Sequence, residues 1–229
     1  MSFGQNLQFL RKMRCMTQED LAERMDVSRQ TVSKWELDAI YPEVGKIIDL
    51  CALFSCTMDQ LIREDMNVLD DAYSDIREEW VESMRYVAHT VVSTEPESDA
   101  VDRVTAWAKK LGISEPYIIG WDFPILSQEQ INVYNMHGYT AAITLPEGVN
   151  ADSLGAKVLQ QGRQKYMVIT IREPFNAPFR LIPNAYKALM TYMHMNGIAH
   201  RQEKNMIACF EHDYIRDGVE YMDIFIAAE

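Results

Sequence analysis

From Phe3 to Asp65 apolar residues recur at three- and four-residue intervals, the spacing that puts them on one face of a helix, and the expectation is a series of short helices. Leu7, Leu10 and Met13 share a face of the first. Thr17-Gln18-Glu19-Asp20 supplies a capping-box-like start for a second, whose stripe is Leu21, Ala22 and Met25. Asp26-Val27-Ser28 then predicts a turn, with Ser28 placed to N-cap a third helix through Val32 and Trp35. Tyr41-Pro42 ends that run. Val44 to Phe54 and a segment starting at Thr57, with Met58, Leu61 and Ile62, complete a compact all-helical unit.

Between residues 66 and 82 the apolar positions Val68, Leu69, Tyr73, Ile76 and Trp80 keep mixed three- and four-residue spacings, predicting a helical linker with an acidic outer face. After Glu82 the texture becomes strand-like. Strands are expected over Met84 to Ser93, Tyr117 to Phe123, Val133 to Leu145, Val158 to Ile171, Asn205 to Glu211 and Val219 to Ala227, the last two as a hairpin across Asp217-Gly218. Helices are expected over Pro96 to Gly112 and Arg180 to Asn196. The order is β-α-β-β used twice, an α+β arrangement whose two halves leave a concave groove at their junction. The domain reading is therefore 1–65 for the helical unit, 66–82 for the acidic helical linker and 83–229 for the duplicated unit.

At about 150 residues per domain, 229 residues leave room for one large domain or two modest ones. Hydrophobic residues at 48% and charged residues at 24% exclude a wholly disordered or fibrous chain. The formal net charge of −12 argues against a protein that coats nucleic acid without specificity. That acidity is concentrated between residues 64 and 99, and the helical unit is close to neutral, with Arg11, Lys12 and Arg14 as a local basic cluster. Cys15, Cys51, Cys56 and Cys209 form no C-x-x-C pair, so reduced, mostly buried thiols are expected rather than disulfides or zinc. The start lacks a signal-peptide pattern and no apolar run approaches a membrane span, which predicts a cytoplasmic protein with no membrane partner.

The stretch Thr17 to Glu36, TQEDLAERMDVSRQTVSKWE, resembles the helix-turn-helix of Cro-like, XRE-family DNA-binding domains, and Tyr41-Pro42-Glu43 and Met58-Asp59-Gln60-Leu61 also suit that family. The resemblance rests on Ala22 where two helices cross, Val27 in the turn and Val32 and Trp35 in the core. It implies a double-stranded DNA operator as partner and a homodimer on a pseudo-palindromic site. A recognition helix enters the major groove N-terminus first, which points to Ser28, Arg29, Gln30 and Thr31, with Ser33 one turn on. Arg29 can chelate guanine and Gln30 adenine. By the resemblance, Gln18 and Lys34 hold phosphates.

The C-terminal portion resembles the GyrI-like effector-binding domain, also found attached to DNA-binding domains of the MerR and AraC types. Ala185-Tyr186…Tyr192 ending at Asn196-Gly197, Phe210-Glu211-x-x-Tyr214 and Met222-Asp223-Ile224-Phe225 carry the likeness. It implies a small-molecule effector bound between the halves, lipophilic and cationic, with Glu211 at the position that meets the ligand charge. His212 and Arg216 stand near enough in sequence to pair with Glu211 instead. Candidate groove aromatics are Trp121, Phe123, Tyr134, Tyr139, Tyr166, Tyr186 and Phe210, and fourteen methionines suit an adaptable apolar pocket.

No catalytic, phosphate-binding or dinucleotide motif occurs, and no cofactor or metal is expected. The sequence reads as a ligand-responsive transcriptional regulator and not an enzyme. Two alternatives stay open: a GyrI-like hydrolase using Glu211, and a C-terminal domain that binds a protein partner.

Overall fold

The computed structural model describes residues 2–64, 66, 72–74, 76–203 and 206–229. Five helices open the chain: α1 (Phe3–Met13), α2 (Gln18–Arg24), α3 (Arg29–Glu36), α4 (Val44–Phe54) and α5 (Met58–Ile62). Side chains fix the starts of four of them, and α4 begins at Glu43 without a side-chain cap. Ser2, Thr17 and Thr57 close capping boxes, and the Ser28 hydroxyl accepts the Thr31 N–H at 3.1 Å. Leu7, Leu10, Leu21, Val32, Leu50 and Leu61 are fully buried between them. Gly4 makes the contact of α1 with the end of α3 possible, since a Cβ there would sit 2.5 Å from the carbonyl oxygens of Trp35 and Glu36.

Two polar devices lock this helical core. Asn6, fully buried, donates to the carbonyls of Leu61 at 3.0 Å and Glu64 at 2.7 Å and accepts the Met66 N–H at 3.0 Å. Arg11 pairs with buried Glu36 through Nε–Oε1 at 2.5 Å and also donates to the Met16 carbonyl at 2.7 Å. The basic cluster expected at the N-terminus is therefore reduced: Arg11 serves the interior, and Arg14 donates to the Leu53 carbonyl at 2.9 Å. A sixth segment shares this compact unit. Phe179–Ala199, most of a long helix, packs with Met1–Tyr73, whereas sequence order assigns it to the region 83–229. Tyr73 Oη donates to the Leu181 carbonyl at 3.0 Å and Asn196 Nδ2 to that of Met13 at 3.2 Å.

Ser74–Pro178 and His200–Glu229 form the second unit, an eight-stranded antiparallel sheet. Its elements are β1 (Arg77–Val81), β2 (Met84–Ser93), α6 (Pro96–Lys110), β3 (Ile118–Asp122), α7 (Gln128–Asn132), β4 (His137–Leu145), β5 (Leu159–Gln161) and β6 (Gln164–Arg172). The long helix of the first unit, α8 (Pro178–Met195), follows in the chain, and β7 (Cys209–Arg216) and β8 (Val219–Ala227) close it. The strand order is β1-β6-β8-β7-β3-β4-β2-β5. In each half the first strand pairs with the third and the third with the second, and the two second strands, β3 and β7, meet at the centre. This is the expected α+β duplication.

Three expectations are corrected. Arg77–Val81, read as part of a helical linker, is an edge strand paired with β6; Val68 and Leu69 of that reading lie outside the described residues. The strand expected from Val133 begins only at His137, because Ser127 and Gln130 close a capping box that starts α7. The strand expected over Val158 to Ile171 is broken at Gly162-Arg163. That break shapes the molecule: β5 sits at one edge beside β2 and β6 near the other edge beside β1, with two residues between them. The sheet must curl to bring them together, and Gln161 Nε2, donating to Tyr166 Oη at 2.7 Å, ties the two strands.

Inside the curl lies a core of Tyr86, Ile119, Tyr166, Val168, Phe210 and Phe225, with Phe210 and Phe225 stacked at 4.3 Å. On the other face α6 covers Val87, Ala141 and Ile143 through Ala100, Val104 and Ala108.

Candidate functional site

On the helical unit, α2 and α3 are joined through Asp26, whose φ of 51° is left-handed, and the Val27 N–H reaches the Ala22 carbonyl at 3.0 Å. This tight turn leaves the first turns of α3 at the surface. Ser28, Arg29, Gln30 and Lys34 are exposed, and Thr31 and Ser33 half-buried. Their engagement differs. The Ser28 and Thr31 hydroxyls are 2.9 Å apart within the cap, and Arg29 Nε is 2.9 Å from Glu19 Oε1 at an exposed ion pair. Gln30, Ser33 and Lys34 make no side-chain hydrogen bond among the described residues, so their polar ends face solvent. Gln18 is turned inward, donating to Glu36 Oε2 at 2.9 Å. Glu19 escaped the sequence reading. It lies opposite Arg29 across the two helices, where the acid residues of the first turn of α2 were legible only as a cap.

In the sheet unit, Glu211 stands at the meeting of the halves, paired in register with Gly120. Adjacent residues of a strand point to opposite faces, so Glu211 and Phe210 cannot line one surface. Phe210 and Tyr166 are fully buried inside the curl, with Trp121 packed against them, and Tyr166 Oη donates to the Ile207 carbonyl at 2.8 Å. Glu211 faces the α6 side. There Tyr139, from β4, reaches across β3 to place its hydroxyl 3.4 Å from Glu211 Oε2. Gly120 lies beneath that ring and gives it room: a Cβ there would be 1.9 Å from the hydroxyl. Of the other aromatics, Phe123 is half-buried, Tyr134 is 54% exposed with its hydroxyl 3.4 Å from Glu129, and Tyr186 is half-buried on α8 in the first unit. Of the eight expected residues, Tyr139 thus meets Glu211 on this face, whereas Tyr166 and Phe210 meet each other, rings 5.2 Å apart, on the opposite one.

The two cations near Glu211 in sequence have other contacts. His212 points to the opposite face, its Nδ1 2.7 Å from the Ile118 carbonyl and its ring 3.9 Å from that of Tyr117. Arg216 stacks over Tyr221 at 4.8 Å. Acidic groups gather around the Tyr139 hydroxyl. Burial raises the Tyr139 hydroxyl pKa, and Glu211, Asp213, Glu97 and Asp122 each raise it further. Burial also raises the carboxyls of Glu97 and Asp122; Asp122 adds to the shift at Glu97, and His137 offsets part of both. Burial, then Glu211 and Asp122, raise the Cys209 thiol. Such a cluster is stabilised by a cation, which removes mutual repulsion and restores favourable contacts to partly desolvated carboxylates. Glu97, Asp122 and Asp213 were missed because they come from α6, β3 and β7, and only pairing of the strands brings them together.

All four cysteines are free; Cys15 is exposed and the others half-buried, less hidden than expected. Among the described residues no group of three or more His, Cys, Asp or Glu side chains could hold a metal ion. Among those residues no helix is long and apolar enough to cross a membrane.

Residues 7–61 match the family described as Helix-turn-helix, and α2 and α3 are its two characteristic helices. The HTH-type transcriptional activator BcrR of Enterococcus faecalis is 42% identical over 62 residues, which are 27% of this chain. The match spans 30% of the length of that relative. Among solved structures, the EcmrR C-terminal domain is similar over 68% of this chain and 97% of that domain, at 11% identity and a TM-score of 0.46. SAV2435 bound to tetraphenylphosphonium is similar over 68% of this chain and 94% of that one, at 15% identity and a TM-score of 0.41.

Proposed function

We propose that this chain is a DNA-binding transcriptional regulator whose helix-turn-helix reads an operator and whose sheet unit takes a small lipophilic cation at Glu211. The observation that carries the first part is the family match over residues 7–61, together with the exposed polar first turns of α3. Arg29, Gln30 and Ser33 read base edges, Ser28 and Thr31 lie beside them, and Lys34 holds phosphate. Gln18 acts through Glu36, positioning rather than contacting DNA. A homodimer presents two such helices to a pseudo-palindromic site about one turn apart.

The second part is supported by Glu211 and Tyr139 in contact amid Glu97, Asp122 and Asp213. A cation with an apolar body gains charge pairing from the acids and cation–π attraction from the Tyr139 ring. The experiment is a thermal-shift titration with tetraphenylphosphonium and a neutral compound of the same shape, followed by operator affinity with and without the cation. Concentration-dependent stabilisation by the cation is expected, reduced in Glu211→Gln, with a change in operator affinity. Equal response to both compounds, or a Glu211→Gln response like wild type, removes the cationic reading. Unchanged operator affinity removes the ligand from regulation.

A further inference from the structure

The helical unit holds a cavity of about 390 Å³ among α1, the end of α4, α5 and α8, in the size range of small-molecule sites. Its floor is apolar: Leu10, Phe54 and Ala188 belong to the buried core. Met66, Met190 and Met195 line its walls, unbranched side chains that adapt to occupants of different shape. The polar groups differ from wall to wall. Lys187 and His194, both exposed, project from α8 without an acidic partner among the described residues, and Glu64 lies on the α5 side. Arg14 holds the Leu53 carbonyl beside Phe54, and its buried Nε has no hydrogen-bond partner, which adds positive charge behind that wall.

We infer that this cavity binds an amphipathic carboxylic acid, its apolar body against Met66 and Met190 above the floor of Leu10 and Phe54 and its carboxylate at Lys187 and His194. The site is separate from Glu211 and opposite to it in charge preference. Because the cavity is walled by α1 and the end of α4, which share one compact unit with α3, an occupant bears on the unit that holds α3, and this consequence rests on the proposed DNA-binding role.

The test is calorimetric titration of the full chain with decanoate, below its aggregation concentration, and with decanol as neutral control. Saturable binding of one decanoate per chain is expected, with decanol weaker. Lys187→Glu, an exposed change that leaves the core intact, should weaken decanoate about tenfold and decanol little, as expected for reversing a charge near the carboxylate. Thr191→Trp, at a half-buried lining position where a large ring obstructs the cavity, should abolish both; if it fails to fold, Lys187→Glu decides alone. Glu211→Gln should leave decanoate unchanged. The inference is overturned by absence of saturable decanoate binding, by binding that Lys187→Glu leaves intact, or by binding that Glu211→Gln removes, which would move the ligand to the sheet unit without touching the cationic test there.

Discussion

A glycine decides whether Tyr139 can reach Glu211. With a methyl group at position 120 the ring has to move, because the contact is with its hydroxyl end rather than with backbone. Gly120→Ala is expected to cost about 1–3 kcal/mol of stability and to weaken tetraphenylphosphonium binding while operator affinity is kept. Unaltered cation binding would take Tyr139 out of the site. Asp213 gives a second test at this scale. Partial burial, then Glu97 and Glu220, push its carboxyl up to about 6 from 3.8, so the folded chain holds that proton more tightly than the unfolded one. Its contribution is fully present at low pH and is lost as pH rises from about 4 through about 6. By surface area the side chain is exposed, which screens it, so the effect is expected to be well below the full linkage value. Asp213→Asn should raise Tm above wild type at pH 7.5 and match it near pH 4. A difference of the same size at both values would point to packing instead.

Among the elements, α3 depends on one hydroxyl at its start. Ser28→Ala removes the acceptor for the Thr31 N–H and is expected to cost about 1 kcal/mol by denaturant unfolding, with a parallel loss of operator affinity as the first turn frays. Unchanged stability would mean that Thr31 or water replaces the cap. The helical unit was legible because its signals are local: Thr17, Ser28 and Thr57 stand where their helices start, and Leu7, Leu10, Val32 and Trp35 keep helical spacing. α7 announced itself equally through Ser127 and Gln130, but the β-formers that follow outweighed it. β1 carried no such sign. Ile76 and Trp80 are four apart, as in a helix, and the hydrogen bonds that make the segment a strand come from β6, far along the chain. The same distance hid the acids around Tyr139, which come from α6, β3 and β7.

For the whole molecule in its proposed role, a net charge of −12 means that DNA affinity has to come from a small surface rather than from the overall field. Binding should therefore be strongly salt-dependent and divided between two kinds of contact. Arg29→Ala is expected to lose about 1–3 kcal/mol on the operator and little on random DNA, whereas Lys34→Ala should weaken both and flatten the salt dependence. Equal losses on both DNAs for Arg29→Ala would leave it a phosphate contact.

The curl of the sheet bears on the order in which the molecule assembles. β8 lies between β6 and β7, and β1 pairs with β6, so most of the sheet joins segments far apart in the chain and closes only when residues up to Ala227 are present. The helices α1 to α5 lie within residues 3–62, but Phe179–Ala199, which completes their unit, comes far later in the chain. High contact order slows folding, and vectorial synthesis delivers the helical segment first. A nascent chain would thus hold α1 to α5 without the segment that completes their unit while the sheet is still unpaired strand, a period in which unprotected edges favour aggregation and chaperones have most to do.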